Sequence, residues 1–227
     1  MKGTAYGVGV GSGDPELMTL KAVRLIREND VIAVPGKLAE ESLAYKIALQ
    51  SVPELAEKRL IPINMPMTKD KNILESKHKK GAELIEEYLD SGKNVVYLTL
   101  GDPTVYCSFG YLQRILESDG YNVELVSGVT SFCSAAARLN IPLVEQEEEL
   151  HVIPGSPDNI DLKNTSDTYV FMKSGRYMND IKNSVKNTDC KIFAVENCGM
   201  DTEKLYKCAD EIPDKTGYFS LVIVKLK

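Results

Sequence analysis

Residues 7–20 read GVGVGSGDPELMTL and place four glycines at alternate positions between a strand-like run and a helical pattern. Such a turn can bring backbone close to a phosphate, as in the dinucleotide fingerprint G-x-G-x-x-G. The glycines here keep a spacing of two, so no frame fits that fingerprint. The next strand, DVIAVP, has its only acid, Asp30, at its start, where it cannot hold a ribose. The stretch therefore predicts either a plain tight turn or a ligand loop of another kind.

Around and beyond this turn, apolar runs alternate with helical patterns through the first half of the chain. The strand-like runs are GTAYGVGVG, DVIAVP, NVVYLTL and NVELV. The helical patterns are ELMTLKAVRLIREN, ESLAYKIALQSV, HKKGAELIEEYLDSG and SFGYLQRILESDG. This alternation predicts βαβ units. A run as continuously apolar as VVYLTL suits a parallel sheet that is covered on both faces.

The second half has a different composition, which indicates a second domain. The segment between Val144 and Asp167 is polar and turn-rich apart from LHVIP, and three β-rich runs follow it: TYVFMKSG, CKIFAVEN and YFSLVIVKL. A chain of 227 residues is also long for one compact core. We predict an α/β protein with two α/β domains, residues 1–127 and 128–227.

Charge and composition exclude several classes of function. A net charge of −6 argues against a broad nucleic-acid surface, which normally shows as a basic domain. Because the apolar runs fall short of the ~18 residues that span a bilayer, and the first residues do not resemble a signal peptide, we expect a cytoplasmic protein without a membrane partner. The five cysteines include no C-x-x-C pair, and His78 and His151 are the only histidines, so we expect reduced thiols and no protein-built metal site.

A second loop, LTLGDPTVYCSFGYL at residues 98–112, joins a buried strand to a helix. Gly101 permits an unusual turn, and Pro103 ends the strand. Ligands of open parallel sheets bind outside the carboxyl ends of the strands, so Asp102 would project toward a site. Asp102 is equally suited to an ordinary turn in which its side chain caps the following helix. Both alternatives remain open at this stage.

Three motifs in order identify a family resemblance. GSGDPELMTLKA, GDPTVYCSFGYL and SGVTSFCSAAARLNIPL together resemble the tetrapyrrole methylases, which methylate corrin and sirohaem ring precursors. Within that family the chain is most similar to the members that methylate C20 of precorrin-2, through SLAYKIA at 42–48, PMTKD at 66–70 and the form of the second motif. The resemblance extends from Gly7 to the last strand.

The resemblance implies two α/β domains that hold S-adenosylmethionine and the substrate in a cleft between them, in a homodimer. The cofactor-binding positions carried over by motif are Leu100, Gly101, Asp102, Val105, Thr130, Ser131, Met172 and Lys173. The first loop would face the tetrapyrrole, with Ser12 in the place of a common proline. Asp14 is the candidate for orienting the substrate or taking a proton, although an N-cap of the following helix explains it equally well.

The function implied is S-adenosylmethionine-dependent methylation of C20 of precorrin-2, with or without cobalt, in cobalamin biosynthesis. The small-molecule substrate carries several carboxylates, so local positive charge must meet it, and Lys37 and Lys69 are the candidates. The alternatives are a sister methylase that acts on another ring carbon, a diphthine synthase-like methylase, or a carrier without catalytic activity. Overall similarity favours the cobalt-containing substrate without excluding the metal-free one.

Overall fold

The computed structural model describes residues 1–68, 70–157 and 166–226. The chain divides into two compact units, Met1–Thr130 and Ser131–Lys227. Each unit contains one five-stranded sheet. The boundary expected from the sequence, between residues 127 and 128, lies just before this division.

The first unit is built on a parallel sheet. Its strands are β1 (Thr4–Gly9), β2 (Val31–Pro35), β3 (Arg59–Ile63), β4 (Val95–Thr99) and β5 (Asn122–Val126). They are arranged in the order β3-β2-β4-β1-β5, and every pairing is parallel. All five residues of the central strand β4 are buried, as its apolar sequence predicts. Because the strands are parallel, their carboxyl ends lie along one edge of the sheet.

Four helices cover the two faces of this sheet. They are α1 (Leu20–Glu28), α2 (Leu43–Ser51), α3 (Lys71–Asp90) and α4 (Phe109–Ser118). One face packs Val8 and Leu98 with Ile26 of α1, and the other packs Tyr97 with Ile85 of α3 and the residues of α4. The predicted doubly covered sheet is therefore confirmed. Among the described residues, no helix is long and apolar enough to cross a bilayer.

Two predicted element boundaries in this unit are wrong, and one strand was not predicted. The first helix divides into a 3-10 turn at Pro15–Leu17 and α1, because the Thr19 hydroxyl accepts a hydrogen bond from Ala22 N at 3.2 Å and caps a new helix. Helix α3 begins well before His78, since Asp70 caps it. Strand β3 was missed because its sequence contains Pro62, but β3 is an edge strand, where proline is tolerated.

The second unit has a mixed sheet. Its strands are β6 (Leu150–Pro154), β7 (Thr168–Met172), β8 (Cys190–Glu196), β9 (Lys204–Tyr206) and β10 (Ser220–Leu226), in the order β6-β7-β10-β8-β9. Strands β6 and β7 are parallel, and the other pairings are antiparallel. Helices α5 (Ser131–Leu139) and α6 (Met178–Ser184) complete the unit. The three β-rich runs of the sequence are confirmed as β7, β8 and β10.

Candidate functional site

The candidate site lies at the carboxyl edge of the parallel sheet. Strands β4, β1 and β5 are neighbours there, and each is followed by a loop that carries predicted site residues. Ser12 follows β1, Gly101 follows β4, and Thr130 follows β5. Side chains on such loops converge because parallel strands end at the same edge, which is where ligands of open α/β sheets bind.

Backbone hydrogen bonds fasten the first two loops together. Gly101 N donates to Gly11 O at 2.7 Å, and Gly11 N donates to Gly101 O at 3.3 Å. Gly101 has φ +71°, a conformation that side chains other than glycine rarely adopt. The loop after β1 is therefore held against the loop after β4 independently of any ligand.

Close backbone packing explains one of the four alternating glycines, Gly9. A Cβ atom on Gly9 would lie 2.4 Å from Gly101 O and 2.8 Å from Gly128 N. A Cβ atom on Gly128 would lie 2.2 Å from Gly101 O. Three loops thus pack backbone against backbone with no room for a side chain. This packing requires glycine at residue 9 without any bound phosphate.

Asp102 joins the loop after β4 to the loop after β5. Its side chain is buried, and its Oδ1 accepts hydrogen bonds from Thr104 N at 2.8 Å and Thr104 Oγ1 at 2.5 Å. Its Oδ2 accepts a hydrogen bond from Gly128 N at 3.0 Å. Both carboxylate oxygens therefore accept hydrogen bonds from the protein itself, and Asp102 connects the two loops.

The electrostatics of Asp102 agree with that role. Burial opposes ionisation, but hydrogen bonds from Thr104, Gly128 and the Ser127 side chain outweigh it and lower the pKa of Asp102 below its ordinary value. The carboxylate is consequently charged at neutral pH. Of the two interpretations open from the sequence, the contacts show the turn but not the helix cap, because Asp102 accepts from Thr104 whereas α4 begins at Phe109 with Ser108 as its N-cap residue. Contact between Asp102 and a cofactor stays a prediction.

Two hydroxyl groups at this edge are buried without a hydrogen-bond partner among the described residues. They are Ser12 Oγ and Thr130 Oγ1. A buried hydroxyl without a partner costs about 1–3 kcal/mol, so few persist in folded proteins without a reason. Leu100 and Val105 are half-buried on the middle loop and add apolar surface. These residues fit a ligand that offers both polar groups and an apolar face.

The residues predicted to act on the substrate have different placements. Asp14 Oδ1 accepts a hydrogen bond from Glu16 N at 2.9 Å, so the N-cap interpretation is confirmed for the 3-10 turn at Pro15–Leu17. A role for Asp14 in proton transfer stays a prediction. Lys37 is exposed just after β2, at the same edge of the sheet. Lys69 lies outside the described residues.

The remaining predicted residues belong to the second unit. Ser131 is the first residue of α5, and Met172 is the last residue of β7; both are half-buried. Lys173 follows with φ +55° and is exposed. Their part in cofactor binding stays a prediction.

Sequence reasoning missed the donors that hold Asp102. Thr104, Ser127 and Gly128 were not singled out, although Ser127 and Gly128 follow directly after a predicted strand. The spacing of Asp102 and Thr104 is also that of a side-chain turn, in which an aspartate accepts from the backbone two residues on. These local signals could have identified a structural role for the aspartate.

Comparison with known proteins yields a family and curated relatives. The family model for tetrapyrrole (corrin/porphyrin) methylases matches residues 4–211. A Methanocaldococcus jannaschii protein named "Probable cobalt-precorrin-2 C(20)-methyltransferase" is 36% identical, over 97% of this chain and 95% of its own length. A precorrin-2 C(20)-methyltransferase of a Sinorhizobium species is 30% identical, over 98% of this chain and 95% of its own length.

Solved structures share the fold. The crystal structure of a uroporphyrin-III-C-methyltransferase from Thermus thermophilus superposes with a TM-score of 0.70. The alignment covers 100% of this chain and 93% of that one, at 22% sequence identity. At that identity the likeness shows a common fold and says nothing of the ring position that is methylated.

Proposed function

This chain belongs to the tetrapyrrole (corrin/porphyrin) methylase family, and we propose on that premise that it methylates C20 of precorrin-2 in cobalamin biosynthesis. The methyl donor is S-adenosylmethionine. The observation that carries the proposal is 36% identity over nearly the full length of a relative named for this reaction. A second relative named for C20 methylation, at 30% identity, supports the same ring position.

We further propose that the substrate carries cobalt. The relative at 36% identity is named for cobalt-precorrin-2, whereas the relative at 30% identity is named for precorrin-2 without cobalt. The difference in identity favours the cobalt-containing substrate. We also propose, from the family resemblance, that the protein is a cytoplasmic homodimer.

The loops at the carboxyl edge of the first unit provide the proposed cofactor contacts. S-adenosylmethionine, when bound, supplies a methyl group made electrophilic by the adjoining sulfonium. Leu100 and Val105 would contact its apolar parts, and Thr130 Oγ1 would find there the partner that it lacks in the described structure. Gly101 and Asp102 would set the loop conformation, and Ser131, Met172 and Lys173 complete the proposed set.

Catalysis by this chain rests on positioning. The electron-rich C20 carbon is itself the nucleophile, and holding it in line with the methyl group can lower a barrier by up to ~7–11 kcal/mol. The backbone packing of Gly9, Gly101 and Gly128 suits that task because it fixes the loops before any ligand arrives. Asp14 is our candidate acceptor for the proton that C20 loses. Lys37 and Lys69 are our candidates for pairing with substrate carboxylates.

Removing either unpaired hydroxyl is expected to weaken ligand binding without destabilising the protein. Thr130→Ala should raise the dissociation constant for S-adenosylmethionine roughly 5-fold, and Ser12→Ala should raise KM for the tetrapyrrole by a similar factor, since one net hydrogen bond is lost. Unfolding temperatures should not fall, because neither hydroxyl has a partner to lose among the described residues and the cost of burying it unpaired is removed. Calorimetric titration, steady-state kinetics and thermal unfolding measure the three quantities.

Ser134→Ala is the matched control, because Ser134 Oγ is also buried with no partner in the described part of the chain but lies within α5. We expect this variant to bind and turn over both ligands as the unaltered protein does. Ligand parameters unchanged in all three variants would remove Ser12 and Thr130 from the site.

The function itself is tested by anaerobic turnover with S-adenosylmethionine and each form of precorrin-2. We expect one methyl group to be added per ring and one S-adenosylhomocysteine to be released, faster with the cobalt-containing ring. Ring binding without release of S-adenosylhomocysteine would instead indicate a carrier. Methylation of RNA or protein, but not of the ring, would indicate a methylase of another kind.

A further inference from the structure

Three side chains that can bind a metal ion meet at the start of β6 and β7. His151 Nε2 lies 3.2 Å from Asp167 Oδ2 and 3.7 Å from Glu149 Oε2. One ligand atom from each residue lies within 4.8 Å of the other two. The sequence argued against a protein-built metal site because it has only two histidines. The fold nevertheless places one of them beside two carboxylates.

The two distances from the histidine nitrogen match a tetrahedral metal site. Zinc binds histidine nitrogen and carboxylate oxygen at about 2.0–2.2 Å, so neighbouring ligand atoms of a tetrahedral site are roughly 3.4 Å apart. The two distances from His151 Nε2 bracket that value. The side chains could therefore bind an ion with only small movements, and such preorganisation favours binding.

Neighbouring groups hold two of the three side chains in place. The His151 ring stacks on Tyr169 with a centroid distance of 4.5 Å and an interplanar angle of 14°. Asp167 Oδ1 accepts a hydrogen bond from Glu149 N at 3.2 Å, and Oδ2 lies 3.2 Å from His151 Nε2. Outer contacts of this kind orient metal ligands and strengthen binding.

The surroundings favour a cation and admit solvent. Glu149 and Asp167 line an open hollow of about 730 Å³ together with Glu145, Glu147 and Glu148. Lys225 Nζ lies 3.4 Å from Glu148 and offsets only part of this negative charge. The field attracts divalent cations, and we expect a water molecule to supply the fourth ligand.

We propose that Glu149, His151 and Asp167 bind a divalent transition-metal ion of the zinc type. The histidine ligand favours zinc, cobalt or nickel over magnesium or calcium, which prefer oxygen ligands. The bound ion would link the starts of β6 and β7. Asp167 and Lys173 flank opposite ends of β7, roughly 20 Å apart along the strand, so the metal site is separate from Met172 and Lys173, the proposed cofactor residues at the other end of that strand. The proposal is independent of the proposed function.

The test is titration of the full-length, chelator-treated protein with Zn²⁺ by calorimetry, and with Co²⁺ by visible absorption. We expect one ion per chain with a micromolar or lower dissociation constant, and a Co²⁺ spectrum of four-coordinate type. Zinc at a hundred times its dissociation constant should raise the unfolding temperature of the second unit by roughly 10–20 °C. Absence of stoichiometric binding, or equal affinity for Mg²⁺, would overturn the proposal.

Variants distinguish this site from general attraction by the acidic surface. His151→Gln and Asp167→Asn should each weaken zinc binding at least tenfold and abolish the four-coordinate Co²⁺ spectrum. Glu147→Gln is the matched control, because it removes a charge from the same hollow but lies outside the cluster; its affinity should stay within twofold. If His151→Gln, shown by circular dichroism to be folded, binds as tightly as this control, the three residues are not the site.

Discussion

Replacing Gly128 with alanine is expected to lower the free energy of unfolding of the first unit by about 3 kcal/mol, the upper part of the usual range for overpacking, and to abolish measurable cofactor binding. The added Cβ would lie 2.2 Å from Gly101 O and 2.9 Å from Gly9 Cα. All three contacting segments are backbone, so no side chain can turn away to make room. The loops that carry Gly101 and Thr130 would have to separate, and the proposed cofactor contacts would be lost.

Gly110→Ala is the control for this change. Gly110 lies within α4, and a Cβ there would meet nothing within 4 Å. Alanine should therefore leave cofactor binding intact and slightly stabilise the helix, because alanine has the higher helix propensity. Denaturant unfolding and calorimetric titration compare the two variants. Equal stability and affinity in both would show that close backbone packing does not hold the loops.

Asp102→Asn is expected to reduce stability and cofactor affinity together. The amide oxygen can still accept from Thr104, but the amide nitrogen would face Gly128 N, donor against donor. Leaving that buried donor unpaired costs about 2 kcal/mol, or roughly 5 °C in the unfolding temperature. Affinity falls with it because Asp102 joins two of the loops that carry proposed cofactor contacts. A loss of affinity with no loss of stability would show instead that Asp102 serves the ligand directly.

The same variant should change the dependence of stability on pH. The pKa of Asp102 is lowered in the folded protein, so near pH 4 the folded state binds fewer protons at this site than the unfolded state. Its stabilising contribution is present at neutral pH and is lost as the pH falls through the folded-state pKa. Unfolding curves should therefore show a steeper loss of stability below about pH 4 in the unaltered protein than in Asp102→Asn.

Asp14→Asn serves as the control for charge removal. Asparagine caps a helix about as well as aspartate, so the 3-10 turn at Pro15–Leu17 should persist and stability should stay unchanged. If Asp14 accepts the proton from C20, turnover should fall while both ligands still bind. Unchanged turnover would show that Asp14 caps the 3-10 turn and does not take the proton.

Local pattern was sufficient to predict the covered parallel sheet of the first unit and four of its five strands. Strand β4 is continuously apolar because helices cover both faces of the sheet, and its sequence alone predicts that burial. Strand β3 was not predicted. It contains Pro62, which is unfavourable inside a sheet, and only the sheet order reveals that β3 is an edge strand. The start of α1 depends on the hydroxyl group of Thr19, which caps the helix. The periodicity of apolar residues gives no sign of this cap.

The site was predicted less completely because its contacts are distant in sequence. The motifs located Gly101 and Asp102, but the partner of Asp102 Oδ2 lies 26 residues further along, at Gly128. The alternating glycines left a plain turn and a ligand loop equally open, whereas Gly9 is required by the backbone of Gly101 and Gly128. Likewise, His151 and Asp167 are 16 residues apart and meet only because β6 pairs with β7. Such pairings follow from the assembled sheet and not from any local pattern.

The position of the transferred methyl group decides whether this chain methylates C20. Cobalt-precorrin-2 is incubated anaerobically with the protein and S-adenosylmethionine labelled with carbon-13 in its methyl group, and the product is converted to a diamagnetic form for carbon NMR. We expect a single enriched methyl group attached to C20. Enrichment at any other ring carbon would contradict C20 methylation by this chain while leaving its membership of the methylase family intact.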